Sequence, residues 1–310
     1  MTHAQPGILA PVPPFARYLF LVAIPESDIR AELLALKALA DGDQTVIGLG
    51  RSLVLALGHE IDGLASFPHH AGARVEVAAT PVALWCWLRG DDRGVLVHRS
   101  RMIEKALSGA FRVCQVIDAF RYGSGRDLTG YEDGTENPRD DAAIDAAIVR
   151  GQGAGFDGGS FVAVQQWLHD FDSFESMTAD EQDRAIGRRR SDNHELEDAP
   201  PSAHVKRTAQ ESFEPEAFVL RRSMPWADEH SAGLVFVAFG KSFSAFDAQL
   251  RRMVGGEDGV TDALFKFTRP VSGAYFWCPP IKDGQLDLSI LGILQGAFPT
   301  PPASHPMPYP

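Results

Sequence analysis

Cysteine is scarce in this sequence: Cys86, Cys114 and Cys278 are the three thiols among 310 residues, and no Cys-x-x-Cys pair occurs. That scatter excludes a disulfide framework and a cysteine zinc site, and it makes three core thiols in a reducing compartment the expectation. An excess of basic charge is also lacking. Lys and Arg number 29 against 41 Asp and Glu, for a net charge of −12, so nucleic acid has no electrostatic basis as the main partner. Long apolar runs are missing as well, and the first fourteen residues hold no basic stretch followed by an apolar one. No membrane span and a soluble, cytoplasmic chain are therefore expected. The local basic cluster Arg188, Arg189 and Arg190 suffices for a small anion.

The chain does have an ordinary globular composition, 45% hydrophobic and 23% charged, with material for one or two cores. Residues 17–24 (RYLFLVAI) read as a buried strand, and 26–40 repeat apolar residues at helical spacing with Ser27 as cap. Residues 44–58 are rich in Val, Ile and Leu, 82–89 carry Trp85 and Trp87, 91–107 are amphipathic, and 111–120 are strand-like. The order is βαββαβ. A Gly- and acid-rich stretch at 122–159 breaks it, and 160–168 (SFVAVQQWL) begin it again. A helix around 178–188, strands near 218–221 and 233–239, a helix at 243–254 and a strand at 273–278 complete the echo. The predicted fold class is α+β: duplicated ferredoxin-like βαββαβ units with antiparallel sheets and helices on the outer faces. The expected divisions are residues 1–150, 151–296 and a Pro-rich tail at 297–310 that cannot pack. Such a fold hosts many functions, so a function must be argued from a site.

The break between the repeats holds the densest polar motif, Gly130-Tyr131-Glu132-Asp133-Gly134-Thr135-Glu136-Asn137-Pro138. Loops held between rigid layers favour catalysis, although Asp-Gly and Asn-Pro are also ordinary turn chemistry. His204 follows the pair Pro200 and Pro201, and Arg221 and Arg222 end the apolar run at 218–220. Taken singly, His204 reads as a packed imidazole or a ligand, and the two arginines as salt-bridged residues or cations for a substrate.

Taken jointly, the Gly-x-x-Asp-Gly-Thr-Glu-Asn-Pro motif, His204 and the later Arg-Arg-Ser-Met-Pro resemble the dye-decolourising peroxidase family. The segments Gln5 to Pro11 (QPGILAP) and Leu84 to Gly94 are most similar to its class B, bacterial cytoplasmic subgroup. The resemblance runs to about Leu291 and leaves out the tail. It implies one haem b per chain, bound in the second half, with His204 as the iron's axial ligand and Asp133 and Arg221 on the peroxide side. Arg222 competes with Arg221 for that place, and Ser223 stands where relatives carry Asn. The resemblance sets Arg188 at a haem propionate, where a charged helix end is an equal reading. It brings Gly134, Glu136 and Asn137 to the porphyrin edge. Asp262 is the candidate carboxylate behind His204, or a cap for the segment after Thr261. His169 lies near the haem or is structural, and Trp226 and Trp277 relay oxidising equivalents or simply pack the core.

On this reading Asp133 shuttles a proton between the peroxide oxygens while Arg221 stabilises the departing one, leaving a ferryl intermediate that oxidises dyes, phenols or similar donors. A carboxylate in that role stays ionised to about pH 4, which implies an acidic optimum. The partners implied are hydrogen peroxide, small reducing substrates and further copies of the chain in a homo-oligomer. Alternatives are a haem carrier or iron-releasing protein, which needs His204 but neither distal group, and a haem-free carboxylate hydrolase using Glu132, Asp133 and Glu136. Packing into a nanocompartment is not expected, because residues 286–310 match no clear targeting peptide.

Overall fold

The computed structural model describes residues 3–68 and 72–294. The Pro-rich tail at 297–310 lies outside them. Strands β1 (Phe15–Ala23), β2 (Thr45–Gly50), β3 (Leu84–Gly90) and β4 (Phe111–Phe120) form the first unit. The second holds β5 (Ser160–His169), β6 (Leu220–Arg221), β7 (Met224–Ala227), β8 (Ala232–Gly240), β9 (Thr268–Pro270) and β10 (Ala274–Cys278). The order β4-β1-β3-β2 in one unit recurs as β10-β5-β8-β7 in the other. All of these pairings are antiparallel. This is the α+β arrangement of two ferredoxin-like units that the periodicity predicts.

The two sheets join edge to edge, Trp277 pairing with Leu49 and Trp226 with Ala119, so the eight strands close a ring. Inside it lie Tyr18, Trp85, Trp87, Val164, Phe239 and Phe276. The alternate residues Leu19, Leu21, Cys86 and Leu88 point outward onto Leu33 and Leu36 of the helix Ile29–Leu39. Both faces of β3 are thus covered, which is why its sequence is a continuous apolar run rather than an alternating one.

Three local readings change, and one alternative is decided. The helix at 26–40 begins at Ile29 with Asp28 as its cap, accepting from the Arg30 and Ala31 amides; Ser27 donates instead to the Ile24 carbonyl. Only part of 44–58 is strand, because the chain turns at Gly50 into the helix Arg51–Ala56. A Cβ at Gly50 would lie 2.1 Å from the Val82 carbonyl, so the backbones meet there as no other residue allows. Cys86 and Cys278 are core thiols, but Cys114 is exposed. It is the extra residue of a bulge, since Phe20 pairs with Gln115 and Leu21 with Val113, and a bulged residue loses its place in the alternation. Trp226 and Trp277 are both buried packing residues, one inside the ring and one outside it.

The second unit departs from the first in a way that creates space. The helix Ala179–Ile186, the counterpart of Ile29–Leu39, buries Ala185 and Ile186 in a small separate core with Phe174, Ala263 and Phe267, whereas Leu33 and Leu36 of Ile29–Leu39 join the core on the sheet. On β5 the outward residues Phe161 and Ala163 join the outer core, and the next outward residues are Gln165, Trp167 and His169. These three line a cavity.

Candidate functional site

The cavity holds about 1510 Å³ of empty space, its open mouth included, and is continuous with solvent. Its walls include Trp167, Leu234, Phe236, Phe246 and Leu250, and its polar lining converges from several separate segments of chain.

His204 opens the short helix His204–Arg207. Its Nδ1 lies 2.8 Å from Asp262 Oδ2, and the Asp262 side chain is 0% exposed. A carboxylate accepts, so Nδ1 is the donor and the Nε2 lone pair is left for the cavity. Nε2 has no protein partner among the described residues. Asp262 also accepts the Leu264 amide on Oδ1 at 2.9 Å, so both of its predicted readings, partner and cap, hold at once. The Ala263 amide donates to the Ser202 carbonyl, which ties the two segments together. Arg207 fixes the far end of the helix by a bidentate bridge of 2.8 Å bonds to Asp258 and a further bond to the Arg252 carbonyl. The Arg207 guanidinium holds the Asp258 carboxyl down at about 2. A lowered carboxyl stabilises the fold above its ordinary pKa and is lost only as pH falls through the lower one, so this anchor persists through mildly acidic conditions.

Asp133 and Arg221 line the same cavity from other elements. Their closest atoms are 3.8 Å apart, beyond hydrogen-bond range. Asp127 and Asp262 spend their oxygens on protein donors, whereas the Asp133 carboxylate makes no hydrogen bond among the described residues. It is therefore free to take a proton. Asp133, Gly134 and Arg221 also line a smaller cavity of about 500 Å³ beside the first, so they form the partition between the two.

Asn137 builds that partition. Its amide accepts from the Arg221 N–H at 2.8 Å and donates to the Arg221 carbonyl at 3.0 Å, clamping the loop to β6. Gly134 has φ +76° and faces Asn137, whose Nδ2 would lie 2.7 Å from an added Cβ. Asn137 and Ser223 line the smaller cavity rather than the larger. Ser223 Oγ there accepts weakly from the Val237 amide at 3.4 Å. Truncating Asn137 to Ala leaves two backbone groups unpaired, and a loss of about 2 kcal/mol is expected; chemical denaturation measures it, and a loss below about 0.5 kcal/mol would mean the clamp is not stabilising.

Arg222 turns away from the cavity. It donates to the carbonyls of Ile8 and Leu9 at 3.1 and 2.8 Å. Burial, with Arg89 adding to it, pushes its guanidinium down to about 10. Of the two adjacent arginines, Arg221 alone lines the cavity.

At the rim, Arg188 donates to Glu136 at 2.6 Å, to Glu195 at 3.1 Å and to the Asn193 carbonyl at 3.1 Å. An anionic ligand edge would compete with those carboxylates for it. His169 is spent: Nε2 meets Asp127 at 2.9 Å and Nδ1 meets Thr268 at 2.8 Å, so neither nitrogen is left for a metal. Burial works to raise the Asp127 carboxyl, but hydrogen bonds from His169 and Thr129 outweigh it and hold the group below its ordinary range.

Sequence reasoning missed Gln165, whose Nε2 is buried without a partner while Oε1 accepts from the Trp167 indole at 3.3 Å. Its signal was the polar residue at an outward position of an otherwise apolar strand. Among the described residues no group of three or more His, Cys, Asp and Glu side chains is placed to hold a metal ion. One free imidazole nitrogen in an apolar cavity instead suits a metal that brings its own planar ligands. The orphan amide of Gln165, and Arg188 in competition with Glu136 and Glu195, are available to the polar substituents of such a group.

The family model "Dyp-type peroxidase, C-terminal" matches residues 124–283, which contain every one of these polar lining residues. The dye-decolorizing peroxidase of Mycobacterium tuberculosis is 30% identical over 295 residues, covering 88% of each chain. Among solved structures, the dye-decolorizing protein from V. cholerae has a TM-score of 0.81 at 27% identity, covering 92% of this chain and 98% of that one. A DypB variant from Rhodococcus jostii RHA1, solved in complex with heme, has a TM-score of 0.81 at 29% identity, covering 90% and 97%.

Proposed function

This chain belongs to the dye-decolorizing peroxidase family, and from that premise we propose that it binds one haem b through His204 and uses Asp133 and Arg221 to reduce hydrogen peroxide while oxidising dyes, phenols or similar donors. The observation that carries the proposal is the meeting of two pairs in one cavity: an imidazole with a free Nε2 braced by a buried carboxylate, and an uncommitted carboxylate beside a guanidinium whose backbone Asn137 clamps. Bound haem supplies the iron redox chemistry that splits the O–O bond.

The protein's own groups then have separable tasks. Asp262 keeps the His204 proton on Nδ1 and makes Nε2 the better donor. Asp133 accepts the proton of one peroxide oxygen and returns it to the departing oxygen. Arg221, clamped by Asn137, sets a permanent positive charge where negative charge develops. Arg188 and the Gln165 amide are the donors available to the polar edges of the group.

Placement in the class B subgroup is part of the same proposal. The Gln5 side chain, buried and bonded three ways to Ile47 and Pro279, builds the N-terminal segment into the fold, and Arg89 donates to the Pro11 carbonyl. With that placement go a cytoplasmic setting and assembly into a homo-oligomer.

A haem carrier or iron-releasing protein is the second reading, and the placement of Asp133 and Arg221 argues against it, because carriage needs neither. Stopped-flow mixing of the haem-loaded chain with peroxide separates them. A carboxylate base keeps working below the range, about pH 6.5, in which an imidazole base protonates. The proposal therefore expects a peroxide-driven Soret change within seconds, at a rate that persists from pH 7.5 down to pH 5. An unresponsive Soret band indicates carriage, and a rate that collapses between pH 7.5 and pH 5, as an imidazole base would give, removes Asp133 from its role.

A further inference from the structure

Most aromatic residues of the protein are accounted for by packing; Tyr131 also packs, in a small core with Phe174, Ile186 and Phe267, but packing does not account for its hydroxyl. It stands in the 130–138 loop, is 5% exposed, lines the cavity and donates its phenol proton to Asp183 Oδ1 at 2.5 Å. Asp183 lies on the helix Ala179–Ile186, is only half-buried, and also accepts the Arg190 amide at 3.0 Å. The Arg190 side chain crosses Gly130, where an added Cβ would come within 3.0 Å of it, so the loop and this charged surface are in contact.

The other aromatic donors lack one or another part of this arrangement. Trp167 lines the cavity, but its indole N–H meets the Gln165 amide, which cannot accept a proton as a base. The Tyr18 hydroxyl is buried inside the ring without a partner. Tyr275 has a carboxylate partner, Asp247, yet it packs behind Phe246 and does not line the cavity. Among the described residues Tyr131 is the tyrosine that touches the cavity and has a carboxylate on its hydroxyl leading toward solvent.

We propose that Tyr131 is a one-electron relay between the cavity and donors too large to enter it, with Asp183 as the acceptor of its proton. The inference rests on the haem peroxidase reading above. The oxidant is the haem group after peroxide has oxidised it. The Tyr131 O–H bond breaks, its electron reduces that group by one oxidising equivalent, and its proton passes to Asp183. The neutral phenoxyl that remains is reduced by an external phenol or dye at the Asp183 and Arg190 surface, which supplies the electron while Asp183 returns the proton. Burial, with the Asp183 hydrogen bond adding to it, pushes the Tyr131 phenol up, so it is never ionised at rest and electron loss must be accompanied by proton transfer.

Freeze-quenched electron paramagnetic resonance of the haem-loaded chain, mixed with peroxide without donor, tests this. A tyrosyl signal is expected in the wild type, a loss of at least tenfold in Tyr131→Phe, and a similar loss in Asp183→Asn, where the phenol remains but its proton acceptor is gone. The Soret band of each variant before mixing reports haem loading and folding. An undiminished tyrosyl signal in Tyr131→Phe, or none in a wild type whose Soret band does respond to peroxide, overturns the relay alone. A wild-type Soret band that ignores peroxide overturns the relay together with the peroxidase reading.

Discussion

Asp133→Asn is expected to retain bound haem and lose about 10²- to 10⁴-fold in the rate of its reaction with peroxide, the range supplied by a positioned proton-transfer group. The substitution keeps the shape of the side chain and removes only its capacity to accept a proton. Because the Asp133 carboxylate makes no hydrogen bond among the described residues, its removal leaves no protein donor stranded, and the loss should fall on the rate rather than on stability. Arg221→Leu should cost about 10²- to 10³-fold, the usual effect of deleting one charge-stabilising donor. The two groups serve one event, so the double variant should lose much less than the product of the single losses. Stopped-flow rates under excess peroxide give all three values. Multiplicative losses would show that Asp133 and Arg221 act independently, and an Asp133→Asn rate within threefold of wild type would remove that residue from the reaction.

The fold was legible because its signals are local and repeated. Alternating or continuous apolar runs mark seven of the eight ring strands, and the Gly- and acid-rich break at 122–159 separates the two sets; the eighth, β7, lies just past the strand expected near 218–221. Errors fell where tertiary contacts override local preference. Gly50 ends a strand because Val82 approaches it, and Cys114 faces outward because the partner strand skips a residue. Asp28 displaces the neighbouring Ser27 as a cap, a choice that spacing alone does not make.

The candidate site was legible in its residues and illegible in its connections. His204, Asp133 and Arg221 stood out through motifs, yet the distinction between Arg221 and Arg222 depends on where the N-terminal carbonyls of Ile8 and Leu9 lie. Asn137 was expected at the porphyrin edge and Ser223 beside Arg221 in the distal pocket; the structure puts both on the smaller cavity, and Asn137 serves Arg221 through its backbone. The bonds of Tyr131 to Asp183 and of His169 to Asp127 join residues far apart in sequence through side chains with no periodic signature. Such pairs emerge only when the loop, β5 and the helices are assembled around one space.

His204→Ala carries the other large effect. Removal of a supporting partner from a metal ligand typically weakens binding by about 10- to 100-fold, so removal of the ligand itself should exceed that range. The variant also leaves Asp262 buried without its imidazole, and some loss of stability should accompany the loss of haem. Asp262 keeps its bond to the Leu264 amide, which limits that loss. The direct measurement is a titration of the purified chain with haem, followed in the Soret region, for wild type, His204→Ala, Asp133→Asn and Arg221→Leu. The predicted result is stoichiometric binding with a Soret band in the wild type and both distal variants, and its loss in His204→Ala. An unchanged band in His204→Ala, or no haem binding by the wild type, would contradict the assignment of this cavity.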